Sequence, residues 1–273
     1  MELRGRKAVV IGGASGIGKG SALELAKRGC DVVVADLHAE RMAETVAEIE
    51  ALGRRSLGVR CDVTSEEDLD ALRVQSLDAL GQVDLLMNSA GVSLLGAVEN
   101  ISMEDWQWCL DVNLMGVIRS CKIFLPDFID RREGYIVNVA SVAGLYAYSY
   151  DAVPYITSKF GCVGYSEGLA VYLKRRGVGV SVLCPGLVTT NLGENARILG
   201  VDDPSTFMHF PPHMQRPIEP AEVGARVADA ILANRFMILT HDEDVAVLEE
   251  RRKDLDAAIA AQAAAMPDPF AGR

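Results

Sequence analysis

Tyr155 and Lys159 are a pair of residues whose chemistry and spacing favour a catalytic role. Residues four positions apart on a helix share one face, with Cβ atoms about 6 Å apart, so a helix would place this phenol beside the ammonium. A nearby ammonium favours the phenolate and lowers the pKa of a phenol from its ordinary value of about 10. Such a phenol can accept and return a proton near neutral pH, which makes Tyr155 a candidate general acid and base.

The other tyrosines nearby lack this arrangement. Tyr146, Tyr148 and Tyr150 have no lysine or arginine four positions further on, and we interpret them as walls of a pocket. Tyr172 has Arg176 at that spacing, but near the far end of the same predicted helix, where a surface pair is expected. Tyrosine–lysine pairs also occur incidentally on helix faces, so the spacing alone does not establish a function.

A glycine-rich turn near the N-terminus supplies a candidate cofactor site. The apolar run Lys7–Gly12 predicts a buried strand, and Gly12–Gly18 (GGASGIG) leads from it into a predicted helix. Glycines let the backbone approach a pyrophosphate closely, and a helix N-terminus offers amide donors and the positive end of the helix dipole. A turn that only needs positive φ also uses glycine. The strand before and the helix after favour a dinucleotide site.

Asp36 ends the second predicted strand, where it can select the dinucleotide. A carboxylate there can accept hydrogen bonds from both ribose hydroxyls of NAD and would repel a 2′-phosphate. Leu37 and Ser15 are not basic, which also favours NAD as the cofactor. Lys19 and Arg41 keep NADP as an alternative, and a helix-capping aspartate is the alternative for Asp36 itself.

Predicted strands and helices alternate along the chain. This pattern indicates an α/β fold of the Rossmann type, with a doubly wound, mostly parallel seven-stranded sheet and helices on both faces. We expect residues 1–243 to form a single dinucleotide-binding and catalytic domain, with an irregular substrate lid at about 191–216. Residues 244–273 are expected to form a helical extension, with one helix over Asp244–Ala265 and a disordered end.

Composition excludes several classes of partner. The net charge of −11 argues against nucleic acid and anionic membrane surfaces. No stretch approaches the roughly 18 apolar residues of a membrane span, and the N-terminal residues show no leader pattern. The six cysteines form no Cys-x-x-Cys motif, which predicts free thiols and a cytoplasmic location. The four histidines show no metal-ligand spacing, so no metal is expected.

Six motifs, in order, resemble the short-chain dehydrogenase/reductase family over roughly residues 5–240. They are the glycine pattern, Asn88-Ser89-Ala90-Gly91, Asn113, Ser141, Tyr155-x-x-x-Lys159 and Pro185-Gly186. The chain departs from the family pattern at Ile11, where the family usually has threonine, and at Ser89, where it usually has asparagine. Neither position carries out chemistry, so the resemblance still implies an active enzyme.

The resemblance implies roles for the matching residues. Tyr155 would be the general acid and base, Ser141 would hold the substrate oxygen, and Lys159 would bind the nicotinamide ribose. Asn113 would anchor a water in a proton relay. Asp62 and Val63 would flank the adenine, and Thr190 would contact the carboxamide. The full set of implied cofactor contacts is Gly12, Ser15, Gly16, Ile17, Gly18, Asp36, Leu37, Asp62, Val63, Asn88, Ala90, Gly91, Tyr155, Lys159, Pro185, Gly186, Val188 and Thr190.

The expected substrate is a hydrophobic secondary alcohol or its ketone, because the candidate pocket residues are mostly apolar. The predicted contacts are Ser141, Tyr148, Tyr155 and Leu187, with Phe207, Met208 and Phe210 in the lid. The resemblance implies a homodimer or homotetramer, with interfaces formed by the helices over Glu104–Arg132 and Tyr155–Arg176. The alternatives are an NADP-dependent ketoreductase, a catalytically silent NAD(P)-sensing scaffold, and an epimerase or dehydratase with tightly held NAD.

Overall fold

The central sheet consists of parallel strands whose side chains are apolar on both faces. The structure, a computed structural model, describes residues 1–199 and 214–266. In these residues, seven strands form one sheet in the order β3-β2-β1-β4-β6-β7-β9, and a two-stranded sheet pairs β5 with β8. The strands are β1 (Lys7–Ile11), β2 (Asp31–Asp36), β3 (Ser56–Arg60), β4 (Leu85–Asn88), β5 (Leu94–Gly96), β6 (Gly134–Val139), β7 (Val178–Cys184), β8 (Arg197–Leu199) and β9 (Met237–Leu239). The predicted seven-stranded, doubly wound sheet is confirmed.

Helices cover both faces of this sheet. They are α1 (Gly16–Lys27), α2 (Ala39–Ala51), α3 (Glu66–Leu80), α4 (Met103–Leu110), α5 (Gly116–Arg131), α6 (Val153–Leu173), α7 (Pro220–Ala233), α8 (Glu243–Lys253) and α9 (Leu255–Ala265). Side chains alternate along a strand. In β1, Val10 therefore packs in the core under α1, α2 and α7, while Val9 packs in the core under α3, α5 and α6. Burial on both faces explains the continuous apolar runs of the strands.

The strand order reverses between β1 and β4, and this reversal sets the place of the site. From β1 the sheet grows through β2 and β3 in one direction and through β4, β6 and β7 in the other. In such sheets a crevice opens beyond the carboxyl ends of the strands at this switch point. The residues that follow β1, β4, β6 and β7 therefore meet at one edge of the sheet.

The segment over Glu104–Arg132 is helical, as predicted, and runs from α4 to α5 through a π-helical turn, Asp111–Met115. The C-terminal segment differs from its prediction. The single helix predicted over Asp244–Ala265 is instead two helices, because Asp254 adopts an extended conformation and its Oδ1 accepts a hydrogen bond from the Ala257 amide at 2.9 Å. Aspartate is a strong helix N-cap, so this residue begins a new helix rather than continuing the old one.

The first part of the predicted lid is ordered into short elements. Asn191–Asn195 forms a 3₁₀ turn, and β8 pairs in parallel with β5. Residues 200–213, with the predicted pocket residues Phe207, Met208 and Phe210, lie outside the described residues, as does the predicted disordered end at 267–273. Within 1–199 and 214–266, no helix is both long enough and apolar enough to cross a bilayer.

Candidate active site

The predicted pair lies on the first two turns of α6. Tyr155 and Lys159 are only 7 % and 4 % exposed, and the Lys159 Nζ lies 5.5 Å from the centroid of the Tyr155 ring. The same Nζ donates a hydrogen bond to the Val139 carbonyl, at the end of β6, at 3.2 Å. This bond holds the ammonium at the edge of the sheet beside the phenol. The rival pair is different, because Tyr172 is largely exposed and stacks on Arg176 at the surface.

Ser141 follows β6 and begins a 3₁₀ turn, Val142–Gly144. Its Oγ accepts a hydrogen bond from the Ala143 amide at 3.1 Å, which leaves the hydroxyl hydrogen for another acceptor. The turn packs directly on α6, because a Cβ added at Gly144 would lie 2.5 Å from the Lys159 carbonyl oxygen. The Ser141 segment and the start of α6 are thus held together by close backbone packing.

The surroundings of the phenol are apolar. Tyr155 packs with Leu95, Ala143 and Ile156, and Tyr148 packs against this cluster. Burial raises the pKa of Tyr148, and the neighbouring Tyr155 raises it further. Tyr148 therefore remains a neutral phenol and is not a candidate base.

Asn113 lies on the π-helical turn, and its side chain is fully engaged inside the protein. The Oδ1 accepts from the Val92 amide at 2.8 Å, and the Nδ2 donates to the Val92 carbonyl at 2.9 Å and to the Ser158 Oγ at 3.0 Å. These bonds tie the loop after β4 to α6. Both Nδ2 hydrogens of Asn113 are used within the protein, and π turns are frequently found at functional sites.

Gly91 joins these groups to the loop after β4. A Cβ added at Gly91 would lie 3.2 Å from the Asn113 Oδ1 and 3.6 Å from the Lys159 Nζ. The missing side chain therefore leaves space directly beside the ammonium. The structure brings Gly91, Asn113, Ser141, Tyr155 and Lys159 to the same end of the sheet.

The glycine turn is packed so closely that side chains would block it. A Cβ at Gly18 would lie 1.9 Å from the Gly12 carbonyl oxygen, and Gly12 itself has φ +75° and lies against the Ala90 amide. A Cβ at Gly16 would lie 3.0 Å from the Thr190 Cγ2. The glycine turn, the segment at Ala90 and the segment at Thr190, all predicted to bind the cofactor, therefore converge at the start of α1. The first turn of α1 carries no acidic residue, so its amide groups and dipole suit an anionic pyrophosphate.

The Asp36 carboxylate faces this turn. Its Oδ2 accepts a hydrogen bond from the Ala14 amide at 3.0 Å, and its Oδ1 accepts from the His38 amide at 3.1 Å. The bond to the His38 amide lies in the turn before α2, whose N-cap is His38 and has no side-chain cap, so the helix-capping alternative for Asp36 is not supported. Leu37 beside it is about half exposed, and Arg41 is paired with Glu194 at 2.8 Å.

Among the remaining predicted cofactor residues, some side chains are engaged in hydrogen bonds or buried, and others line a cleft. The Asp62 Oδ1 accepts from the Thr64 amide, while Val63 lines a small cleft at the switch point together with Asn88 and Ala90. The Asn88 side chain is buried, and its Nδ2 donates to the Asn138 Oδ1 at 2.8 Å. Asn88 can therefore offer a nucleotide only its main chain. Ile17 is partly buried and packs against the core, and Ser15 is the N-cap of α1.

The Pro185-Gly186 turn after β7 is bound to two other segments. The Pro185 carbonyl accepts from the Val142 amide at 3.0 Å, next to Ser141. Gly186 donates its amide to the Thr240 Oγ1 at 2.9 Å. Beyond this turn, the Ile218 amide donates to the Leu187 carbonyl and Val188 pairs with Ile218.

Sequence reasoning missed two buried residues near this turn, His241 and Asp244. His241 lies against Gly186, and Asp244 accepts a hydrogen bond from Tyr146, which was interpreted as a wall of a pocket. Tyr146 and Asp244 are 98 residues apart, and neither belongs to a recognisable motif. Only the folded structure brings them together, so no local sequence signal could have identified the pair.

The described residues hold no group of three or more histidine, cysteine, aspartate or glutamate side chains suited to a metal ion. The six cysteines all lie within the described ranges and are buried and free. Burial raises the pKa of the Cys30, Cys61, Cys121 and Cys184 thiols to about 12. These thiols are therefore poor nucleophiles.

Comparison with known proteins gives matches over most of the chain. A family model described as short chain dehydrogenase matches residues 6–198. The (2S)-[(R)-hydroxy(phenyl)methyl]succinyl-CoA dehydrogenase subunit BbsD of Thauera aromatica is 37% identical over 190 residues, which cover 70% of this chain and 76% of that protein.

Two solved structures are also similar. A short chain dehydrogenase/reductase from Burkholderia phymatum in complex with NAD has a TM-score of 0.84 and 32% identity, covering 94% of this chain and 96% of that one. A variant actinorhodin polyketide ketoreductase with NADPH has a TM-score of 0.77 and 32% identity, covering 86% and 95%.

Proposed function

We propose, from the premise that this chain belongs to the short-chain dehydrogenase/reductase family, that it is an NAD-dependent enzyme interconverting a hydrophobic secondary alcohol and its ketone. The family establishes an oxidoreductase, and the substrate class, the choice of NAD and the tyrosine mechanism are our proposal. The observation that carries it is the buried Tyr155–Lys159 pair on α6, packed against the Ser141 turn and next to Gly91.

The cradle around α1 supports a bound dinucleotide. Gly12, Gly16 and Gly18 leave no room for side chains, and the helix N-terminus beside them favours phosphate. Asp36 would hold the adenosine ribose, and Lys159 the ribose next to the nicotinamide. NAD, when bound, supplies the hydride acceptor or donor for the reaction.

The protein's own groups handle the proton. Oxidation of an alcohol removes a hydride from its carbon and a proton from its oxygen, and the Tyr155 oxygen would accept that proton. In the reverse direction the same hydroxyl would return the proton to the ketone oxygen. Ser141 has a hydroxyl hydrogen to donate to the substrate oxygen, where negative charge develops. The Lys159 Nζ lies 5.5 Å from the centroid of the Tyr155 ring, so a positive charge stands beside the proposed proton acceptor.

Two side chains support NAD rather than NADP. The Asp36 carboxylate lies at the glycine turn, where it would repel a 2′-phosphate. Arg41, one of the two basic candidates for binding that phosphate, is engaged with Glu194. A similar structure contains NADPH, so NADP is retained as the comparison cofactor in the experiment.

The apolar walls support a hydrophobic substrate. Leu95, Tyr148 and Ile156 pack around the phenol. We propose that Leu187 lines the same pocket. The name of the relative from Thauera aromatica specifies an alcohol carbon that bears a phenyl ring. We therefore propose secondary alcohols with an aromatic or alicyclic substituent as the first substrates to test.

We also propose that the chain assembles as a homodimer or homotetramer. Large apolar side chains are exposed on the outer faces of the two predicted interface helices. Met103 on α4 is 78% exposed, and Val171 on α6 is 74% exposed. Exposed apolar groups of this kind commonly mark contacts with another chain.

The direct test follows absorbance at 340 nm with NAD or NADP and a panel that includes 1-phenylethanol, cyclohexanol, acetophenone with reduced cofactor, and a primary alcohol as control. We expect turnover of the aromatic and alicyclic secondary alcohols, with NAD giving the higher kcat/KM. Tight NAD binding without turnover of any panel member would instead favour the silent sensor. Higher kcat/KM with NADP would overturn the assignment of the cofactor.

A further inference from the structure

The C-terminal extension is joined to the active-site loop by a buried hydrogen bond. The Tyr146 hydroxyl donates to the Asp244 Oδ1 at 2.7 Å, and the two residues are 3% and 0% exposed. Tyr146 lies in the connection between Ser141 and Tyr155, and Asp244 lies in the first turn of α8. The bond therefore connects α8 to the segment that joins the two candidate catalytic hydroxyl groups.

Both helices of the extension cover this segment. Val247 and Leu248 of α8 pack against a cluster that contains Tyr146, with Tyr148 at its margin. Gln262 of α9 donates its Nε2 to the Tyr148 carbonyl at 3.2 Å. The extension thus contacts Tyr146 and the backbone of Tyr148, and Tyr148 packs against the cluster that contains Tyr155.

The beginning of α8 is also fixed to the cofactor end of the site. His241 lies one turn before Asp244, and its ring makes two hydrogen bonds. The Nδ1 lies 2.9 Å from the Thr240 Oγ1, and the Nε2 lies 2.8 Å from the Arg216 carbonyl oxygen. A carbonyl can only accept, so the Nε2 carries the hydrogen of this bond. Thr240 in turn accepts from the Gly186 amide. Asp244 therefore projects from a turn that is anchored to the Pro185-Gly186 segment.

We propose that Asp244 is a positioning residue of the substrate pocket, which holds Tyr148 beside Tyr155 through its hydrogen bond to Tyr146. This role rests on the proposed function of Tyr155 and goes beyond it, because it assigns a task to the C-terminal extension. Burial and the hydrogen bond to Asp244 both raise the pKa of Tyr146, so this phenol stays protonated and remains a donor. Loss of the acceptor would remove this hydrogen bond from a buried hydroxyl, and we expect the segment to shift in response.

The test compares Asp244→Ala with Asp244→Asn, which keeps an acceptor oxygen at the same place. We expect Asp244→Ala to raise the substrate KM by about ten-fold while the Kd for NAD, measured by calorimetry, stays within about two-fold of wild type. Asp244→Asn should restore most of the loss. Glu249→Ala is the matched control, because it removes an exposed acid from the same helix and should leave KM unchanged.

A second measurement does not depend on turnover. Amide hydrogen exchange in residues 145–151 should be faster in Asp244→Ala than in wild type, Asp244→Asn or Glu249→Ala. This result would support the positioning role even if no alcohol in the panel reacts, so failure of the proposed function is distinguishable. If Asp244→Ala does not fold, Tyr146→Phe removes the same bond from the other side and should give the same KM and exchange changes.

Three results would overturn the proposal. One is an unchanged substrate KM and unchanged exchange in a folded Asp244→Ala or Tyr146→Phe variant. Another is a loss of NAD binding equal to the loss of substrate binding, which would indicate a general structural role. The third is an Asp244→Asn variant as impaired as Asp244→Ala, which would exclude the hydrogen bond as the cause.

Discussion

Asp36 is a residue at which one side chain can decide between two cofactors. Its carboxylate is already bound by the Ala14 and His38 amides, so it is fixed in place at the glycine turn before any ligand arrives. A fixed carboxylate interacts with ribose hydroxyls at little cost in side-chain entropy and repels a phosphate at the same place. The proposed preference for NAD should therefore depend directly on this residue.

Replacing Asp36 with alanine tests this role. We expect the Kd for NAD to rise by about ten-fold and the Kd for NADP to fall or stay constant, because a hydrogen-bond acceptor and a repulsive charge are both removed. Isothermal titration calorimetry with each cofactor measures the two Kd values and hence their ratio. Glu40→Ala, which removes an exposed acid from the first turn of α2, is the control. If the ratio of the Kd values for NAD and NADP is the same in Asp36→Ala and wild type, Asp36 does not select the cofactor.

The sequence allows the chemistry of single residues to be predicted better than their orientation. Tyr155 and Lys159 share a helix face as their spacing predicts. The orientation of Asn88 and Asn113 could not be predicted, because it depends on partners such as Asn138 and Val92 from other elements. Spacing determines which residues share a face of one helix, whereas a buried amide follows the three-dimensional arrangement of its acceptors.

Among the helices, α6 has one buried face and one exposed face. Its inner face carries Tyr155 and Lys159 to the end of the sheet, and Phe160 and Val171 on its outer face are exposed. Gly164 and Gly168 have open space where a side chain would lie, so another backbone could approach this face closely. These features favour a chain–chain contact along α6.

A charge on this outer face should reduce the assembly. We expect the wild-type chain to have the mass of two or four chains by size-exclusion chromatography with light scattering, and Val171→Glu to shift it toward a smaller species. A charge buried in an interface without a partner is strongly unfavourable. Val74→Glu, at an exposed valine of α3, is the matched control and should leave the mass unchanged. A wild-type mass of one chain at micromolar concentration would contradict the proposal.

Local sequence patterns do not predict all the ends of the helices and strands. The C-terminal segment reads as one Ala-rich helix, but the cap at Asp254 divides it into α8 and α9. A short side-chain hydrogen bond competes with helix continuation, and hydrophobic periodicity does not report that competition. The strand β8 was not predicted either, because its stability depends on pairing with β5, about a hundred positions earlier in the chain.

At the scale of the whole molecule, the sheet order assembles the site. Residues after β1, β4, β6 and β7 come together because parallel strands present their carboxyl ends to the same edge. The alternation of strands and helices was enough to predict this architecture, since crossover connections leave few alternatives. The C-terminal helices then cover the segment between Ser141 and Tyr155, and this long-range packing lay beyond the sequence patterns.

The central claim is that Tyr155 transfers the proton, and the Tyr155→Phe variant tests it most directly. Phenylalanine keeps the ring and its packing with Leu95 and Ile156 but removes the hydroxyl. We expect kcat with the best panel alcohol to fall by about three orders of magnitude or more, because general acid–base catalysis contributes about 10²–10⁴-fold and substrate orientation is lost as well. The Kd for NAD should stay within about two-fold of wild type. A Tyr155→Phe variant with near-normal kcat and normal NAD binding would contradict the account.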